Sequence, residues 1–273
     1  MYAIDFEYDG IYLSDFNFII CRFDYSSGSV AADAGSKLTF EKVSRHNGSK
    51  HSRVSSKYGE CIQTTFDICK DDNRYDFDER EISNDEYRDL MRWLNRKEFH
   101  IFQVLYNNED RLREACYFNA SFNIEKITIA ERLYGLRLTM ETDSPFGYGA
   151  EKRFNLDFSN SSDAQRIRDM SDDIGYIYPD MTITCGSDGN LSIHNDFGDC
   201  TMYIKNCSAG ETITIKGEEQ IISTSFSDHN IGADFNYNFL KIGNTYDSRD
   251  NHISASLPCN IVISYRPIIK DIP

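Results

Sequence analysis

Residues 82–97 read Ile82-Ser-Asn-Asp-Glu-Tyr-Arg-Asp-Leu-Met-Arg-Trp-Leu-Asn-Arg-Lys97, the one stretch with a clear helical pattern. Ser83 followed by Glu86 is a capping box, in which hydroxyl and carboxylate each take a backbone N–H that the first turn cannot pair itself. Ile82 before the cap and Tyr87 after it are spaced as a hydrophobic staple. Tyr87, Leu90, Met91 and Leu94 follow the i, i+3, i+4, i+7 rule and predict one apolar stripe. Arg96 and Lys97 fall where cations favour the negative end of the helix dipole. Almost everything on either side reads as strand. One amphipathic helix in a β-rich chain covers a sheet, so this one is expected as the lid on a sandwich or small barrel.

The 273 residues can bury a sizeable core and fit one or two domains. The formal charge of −15 is distributed: residues 150–273 hold 10 Lys+Arg against 18 Asp+Glu, or −8, leaving −7 for the first 149. An acidic body does not bind nucleic acid by neutralising phosphates, although DNA can slide past it without sticking. The opening MYAIDFEYDG is acidic and lacks the apolar core of an export signal. No run approaches the roughly 18 apolar residues of a membrane-spanning helix, so no membrane insertion is expected. The 8 cysteines contain no C-x-x-C pair and are expected as free, buried thiols.

Taken in order, the chain opens with a strand at Tyr2–Tyr8, an Asp9-Gly10 turn and an apolar run at Phe16–Phe23, then a small-residue loop at Ser26–Gly35. A long two-armed feature follows. Its first arm is Lys37–Val43, Asn47-Gly48 is a strong hairpin turn signal, and its second arm returns through Arg53–Val54 to Ile62–Ile68. The arms near the turn are polar and carry Lys42, Arg45, His46, Lys50, His51, Arg53 and Lys57, a basic cluster in an acidic protein. Either this is a solvated hairpin face or, with Asn47 and Gly48 setting the turn, it is a subunit interface clasping the acidic surface of a neighbouring copy. Strands are expected at Phe99–Tyr106, Cys116–Ile127 and Glu131–Thr142, with a turn at Asn107–Arg111.

Ser144-Pro-Phe-Gly-Tyr-Gly149 breaks the periodicity, and a domain boundary is placed there, dividing residues 1–146 from 147–273. Beyond it come short strands with turn signals: Met181–Cys185, Leu191–His194, Thr201–Asn206, Thr212–Lys216, Gln220–Ser225, Phe239–Ile242, His252–Ser256 and Asn260–Arg266. These predict a second sandwich of jelly-roll type.

No phosphate-binding glycine loop and no Gly-x-Ser-x-Gly elbow occur, so no catalytic residue is assigned. The 6 histidines are scattered, without a His-x-x-x-His pair. Asp188, Asp196 and Asp199, near Asn190 and Asn195, lack ordered calcium-ligand spacing and more simply shape turns. No metal ligand or cofactor is assigned. Tyr203, Phe235, Tyr237, Phe239 and Tyr246 either fill the sandwich core or stack on sugars, and of these Tyr203, Tyr237 and Tyr246 are the glycan-binding candidates.

Three stretches together resemble the distal tail proteins of long-tailed, non-contractile bacteriophages and prophages. They are FEYDGIYLSDFNFIICRFD (6–24), EYRDLMRWLNRKEFHIFQV (86–104) with LRLTMETDSPFGYG (136–149), and HISASLPCNIVISYRPIIK (252–270). The resemblance spans nearly the whole chain and is clearest in the first half. It implies a ring-forming N-terminal β domain with one helix, assembling as a hexamer at the virion tail tip after synthesis in the bacterial host cytoplasm. It also implies a galectin-like, carbohydrate-binding-like C-terminal sandwich. The implied partners are further copies, the tail tube protein, and baseplate and receptor-binding proteins. The reading is therefore a mainly β, non-enzymatic hub whose acidic lumen lets DNA pass. The rival reading is a glycan-binding module of a host-recognition protein.

Overall fold

The computed structural model describes residues 3–23, 38–45, 50–59, 61–76, 79–106, 115–160 and 163–270, with the side chains of all but 44, 45, 50–53 and 199. The expected loop at 26–35 and the expected turn at 107–111 lie outside them. The chain divides into two compact units, Met1–Gly149 with Ile269–Pro273, and Ala150–Ile268. It is mainly β throughout.

In the first unit, β1 (Ala3–Tyr8) turns Phe6 and Tyr8 inward. Asp9 and Gly10, with φ of 53° and 77°, form the two-residue turn into β2 (Ile11–Tyr12). Both φ values are positive, as a tight primed hairpin turn requires. After β3 (Phe18–Cys21) come β4 (Leu38–Arg45), β5 (Lys50–Tyr58) and β6 (Gln63–Lys70). Helix α1 (Asn84–Leu94) precedes β7 (His100–Tyr106), β8 (Tyr117–Ile129), β9 (Arg132–Thr142) and β10 (Gly147–Tyr148). Among the described residues the main sheet runs β2-β1-β7-β8-β9-β6-β3. Its ends approach each other, β1 near β3. The sheet therefore curls round one core, in which Phe6, Phe66, Phe102 and Phe122 meet ring to ring.

The cap of α1 is the expected box: the Glu86 N–H donates to Ser83 Oγ at 3.3 Å and the Ser83 N–H to Glu86 Oε2 at 2.7 Å. Ile82, ahead of the cap, is buried, and Tyr87 packs against the core. Leu90 and Leu94 are buried as expected, but the third fully inserted side chain is Trp93, and Met91 is only half-buried. Trp93 stacks on Phe16 at 4.8 Å and on Phe6 at 5.6 Å, and its Nε1–H donates to the Tyr8 carbonyl at 3.0 Å. The helix also ends three residues before the expected Lys97. Arg96, beyond the end, pairs with Asp9 rather than with the last helical turn.

The two-armed feature is not one hairpin reaching Ile68. Its return arm stops at Tyr58, and Gln63 starts a strand of the main sheet, paired with β9 and β3. The reason is burial: Phe66 and Ile68 belong to the core, whereas among the described residues β4 and β5 pair only with each other. The Ser144–Gly149 stretch is packed, not slack. An added Cβ on Gly147 would meet Cys116 Sγ at 2.3 Å, so any larger residue there would force Cys116 and Phe118 to shift.

The second unit is a sandwich. Its strands are β11 (Lys152–Asp157), β12 (Gln165–Arg168), β13 (Gly175–Ile177), β14 (Asp180–Cys185), β15 (Gly189–Asn195), β16 (Cys200–Cys207), β17 (Thr212–Lys216), β18 (Ile221–Thr224), β19 (Ile242–Asn244), β20 (Asp250–Ala255) and β21 (Cys259–Tyr265). One sheet runs β11-β21-β14-β17-β18, the other β12-β20-β15-β16, all pairs antiparallel. Inward residues alternate with outward ones, so register aligns apolar rows such as Leu156–Ile261–Ile183–Ile213. Sequence reading finds no strand between 150 and 180, yet β11, β12 and β13 lie there. It places Phe239–Ile242 as a strand, but the paired segment begins at Ile242 and Phe239 fills the core instead.

Candidate subunit interface

The basic cluster falls on the β4–β5 ribbon. Pairing runs from Leu38↔Tyr58 to Arg45↔Lys50, and Val54 is the extra residue opposite the Glu41–Lys42 step, a bulge that twists the ribbon. His46, Asn47 and Gly48 lie outside the described residues. Arg45, Lys50, His51 and Arg53 are placed by their backbone, on paired strand positions around the tip. Lys42 and Lys57 are exposed and stand on opposite faces: alternation puts Lys42 with Leu38 and Phe40, and Lys57 beside Thr39 and Glu41. Alternation sets Leu38 and Phe40 on one face of the first arm, and the stretch read as polar near the turn also holds Val43 and Val54. Leu38, Phe40, Val43 and Val54 are all solvent-facing, from 41% exposed for Phe40 to 63% for Val54. The base is anchored at Tyr58, whose ring meets Phe146 edge-on at 4.6 Å and lies under Lys270 Nζ at 4.8 Å. From that anchor outward the ribbon offers two cationic, partly apolar faces.

Two of the three tyrosines named as glycan candidates are exposed, Tyr237 at 66% and Tyr246 at 90%, while Tyr203 is half-buried. Tyr203 and Asn236 exchange hydrogen bonds, which brings Tyr237 beside that strand. Tyr246 sits in the Thr245–Ser248 turn. Phe235 and Phe239 are core residues.

Of the polar residues weighed as ligands, the Asp199 side chain lies outside those described and the other four have structural partners. Asp188 accepts the Ala209 N–H at 2.7 Å, Asn190 accepts the Asn206 N–H at 3.1 Å, and Asn195 donates to Asn251 at 2.9 Å. Asp196 accepts the His252 N–H at 2.9 Å. Among the described residues no group of three His, Cys, Asp or Glu side chains is arranged to hold a metal. The cysteines are free thiols, but only Cys185, Cys200, Cys207 and Cys259 are buried; Cys61 is exposed. Among the described residues no helix is long and apolar enough to cross a membrane.

One constellation escaped sequence reading. Glu211, fully buried, accepts from the Ser208 N–H at 2.9 Å and from Thr224 Oγ1, and its Oε1 lies 2.5 Å from His229 Nδ1. Burial opposes the charge on both residues. The Thr224 and His229 bonds nonetheless hold the Glu211 carboxyl below its ordinary range, and Glu211 raises the pKa of His229. Closed off from solvent, the pair ties the segment before the one-turn helix Ile231–Asp234 to β17 and β18.

Comparison with known proteins follows the same division. Residues 1–144 match the family model described as phage tail protein N-terminal domain, and residues 146–265 match the one described as phage tail C-terminal domain. No curated protein matches the chain. Among solved structures the chain is similar to the Dit (gp 19.1) protein of phage SPP1, described as a paradigm of hub adsorption apparatus in phages infecting Gram-positive bacteria. The TM-score is 0.66 at 11% identity, covering 97% of this chain and 99% of that one, a likeness of fold.

Proposed function

The chain belongs to the phage tail proteins, and from that premise we propose that it is the hub of a tail tip, a homo-oligomeric ring joining the tail tube to baseplate and receptor-binding proteins. Ring formation is assigned to the first unit and attachment of partners to the galectin-like sandwich of the second. The observation that carries this reading is the β4–β5 ribbon, which pairs with no other strand among the described residues and leaves apolar side chains in solvent. A two-stranded ribbon is marginal on its own in water, and exposed apolar surface rimmed by charge is the signature of an interaction site. The fold shared with a hub protein and a formal charge of −15, unsuited to gripping DNA, point the same way. The role is structural; no residue is assigned to catalysis. Light scattering over a concentration series, with electron microscopy of the product, tests the ring. The expected result is a closed oligomer of the first unit's contacts, in the hexameric range the resemblance implies. A monomer at every concentration overturns it.

The exposure of Tyr237 and Tyr246 favours a second reading, a glycan-binding module on the sandwich. Binding to a glycan panel that is lost in Tyr237→Ala and Tyr246→Ala, without assembly, would select it.

A further inference from the structure

We infer that the ribbon of one copy packs, through its Leu38–Phe40–Lys42 face, on the outer face of strands β2, β1 and β7 of the next copy. The inference rests on the ring reading and names the surface that reading leaves open. Register defines the receiving face. One row runs Tyr12–Glu7–Gln103–Tyr117, flanked by Asp5–Leu105 on one side and Ile101–Asn119 on the other. Phe6, Tyr8 and Phe102 alternate with these residues and point into the core, so the row residues point outward. Ile101 is 47% exposed and Tyr12 39%, while Leu105 and Tyr117 are half-buried. This is a partly apolar sheet face that carries carboxylates.

The charges are complementary. Asp5 and Glu7 lie on that face and Asp15 beside it, whereas Asp9 is already paired with Arg96. Glu7, ahead of Asp15 and Asp5, pushes the Tyr12 phenol above its ordinary range, as crowded negative charge does. The ribbon, residues 38–58, carries five Lys or Arg against one Glu, a formal +4. Both surfaces are pleated faces carrying aromatic and aliphatic side chains, and such faces stack on one another. Leu38 and Phe40 are 49% and 41% exposed. Two different patches on one subunit make a heterologous contact, the kind that closes into a ring when its rotation allows. β2, only two residues long, leaves little edge for uncontrolled strand addition.

The test is a charge swap with position-specific cross-linking in the full chain. Glu7→Lys should weaken association by roughly tenfold or more, because like charges meet across the contact. Lys42→Glu should do the same, and the double exchange should restore much of the loss. A photoreactive side chain at Leu38 should cross-link copies to peptides containing Tyr12 or Ile101. Assembly that persists with cross-links landing elsewhere, or with no rescue in the double exchange, overturns this docking while the ring stands. A wild-type protein that never assembles overturns both. Unchanged thermal unfolding of the variants under monomeric conditions separates these outcomes from misfolding.

Discussion

Ser83 and Glu86 were legible because a capping box is a local arrangement, complete within four residues. Trp93 was not. Its place inward is decided by Phe6, Tyr8 and Phe16, which arrive from the start of the chain and build a slot with an acceptor carbonyl at its end. Trp93→Ala is therefore expected to cost about 3–5 kcal/mol, a loss of packing plus a buried carbonyl left without its donor, checked by denaturant unfolding of the first unit. Glu211 and His229 were invisible for the same reason, since eighteen residues and a strand pair separate them. Their linkage has a definite sign. Glu211, with its pKa lowered, stabilises the fold above its ordinary 4.5, and that contribution is lost as pH falls through the folded value. His229, with its pKa raised, stabilises fully below its ordinary 6.5, and that contribution is lost as pH rises through the folded value. Wild-type stability of the second unit should thus fall on both sides of this window. In Glu211→Gln the fall above pH 6.5 should flatten, as pH-dependent melting would report.

At the scale of elements, strands whose two faces differ sharply in polarity were readable, and β14, β17 and β21 lie within a residue or so of their expected bounds. β11 was missed because its polar residues, Lys152, Arg153, Asn155 and Asp157, outnumber Phe154 and Leu156 and resemble a charged linker. The ribbon misled in the other direction: its arms read as polar near the turn, yet exposed Val43 and Val54 accompany the cations there. Its tip can still be tested by charge alone. Replacing Arg45, Lys50 and Arg53 together by Glu should weaken assembly and reduce or invert its salt sensitivity, since rim charges act mainly on encounter rate. Folding should be unaffected, because the ribbon pairs with no strand of the main sheet among the described residues. Identical sedimentation of wild type and variant at low and moderate salt would leave the tip cations without a part in assembly.

For the whole molecule, composition set two expectations before any fold was known: a chain large enough for two domains and too acidic to hold DNA. The second predicts no DNA binding that survives physiological salt, since few phosphates could be neutralised by a surface of this sign. The first can be tested more sharply. The buried side chains form two separate clusters, one built on Phe6, Trp93 and Phe102, the other on Ile183, Ile261 and Ile263. Units with separate cores need not unfold together. Leu90→Ala and Ile261→Ala each remove a fully buried aliphatic side chain, one from each cluster, at a cost of about 2–5 kcal/mol. Calorimetry of the full chain should show each variant lowering one transition and leaving the other in place. The packed Ser144–Gly149 stretch does not weaken this expectation, because its glycine contacts, Cys116 and Phe118, belong to the first unit alone. A single transition shifted equally by both substitutions would mean that the two cores melt as one cooperative body.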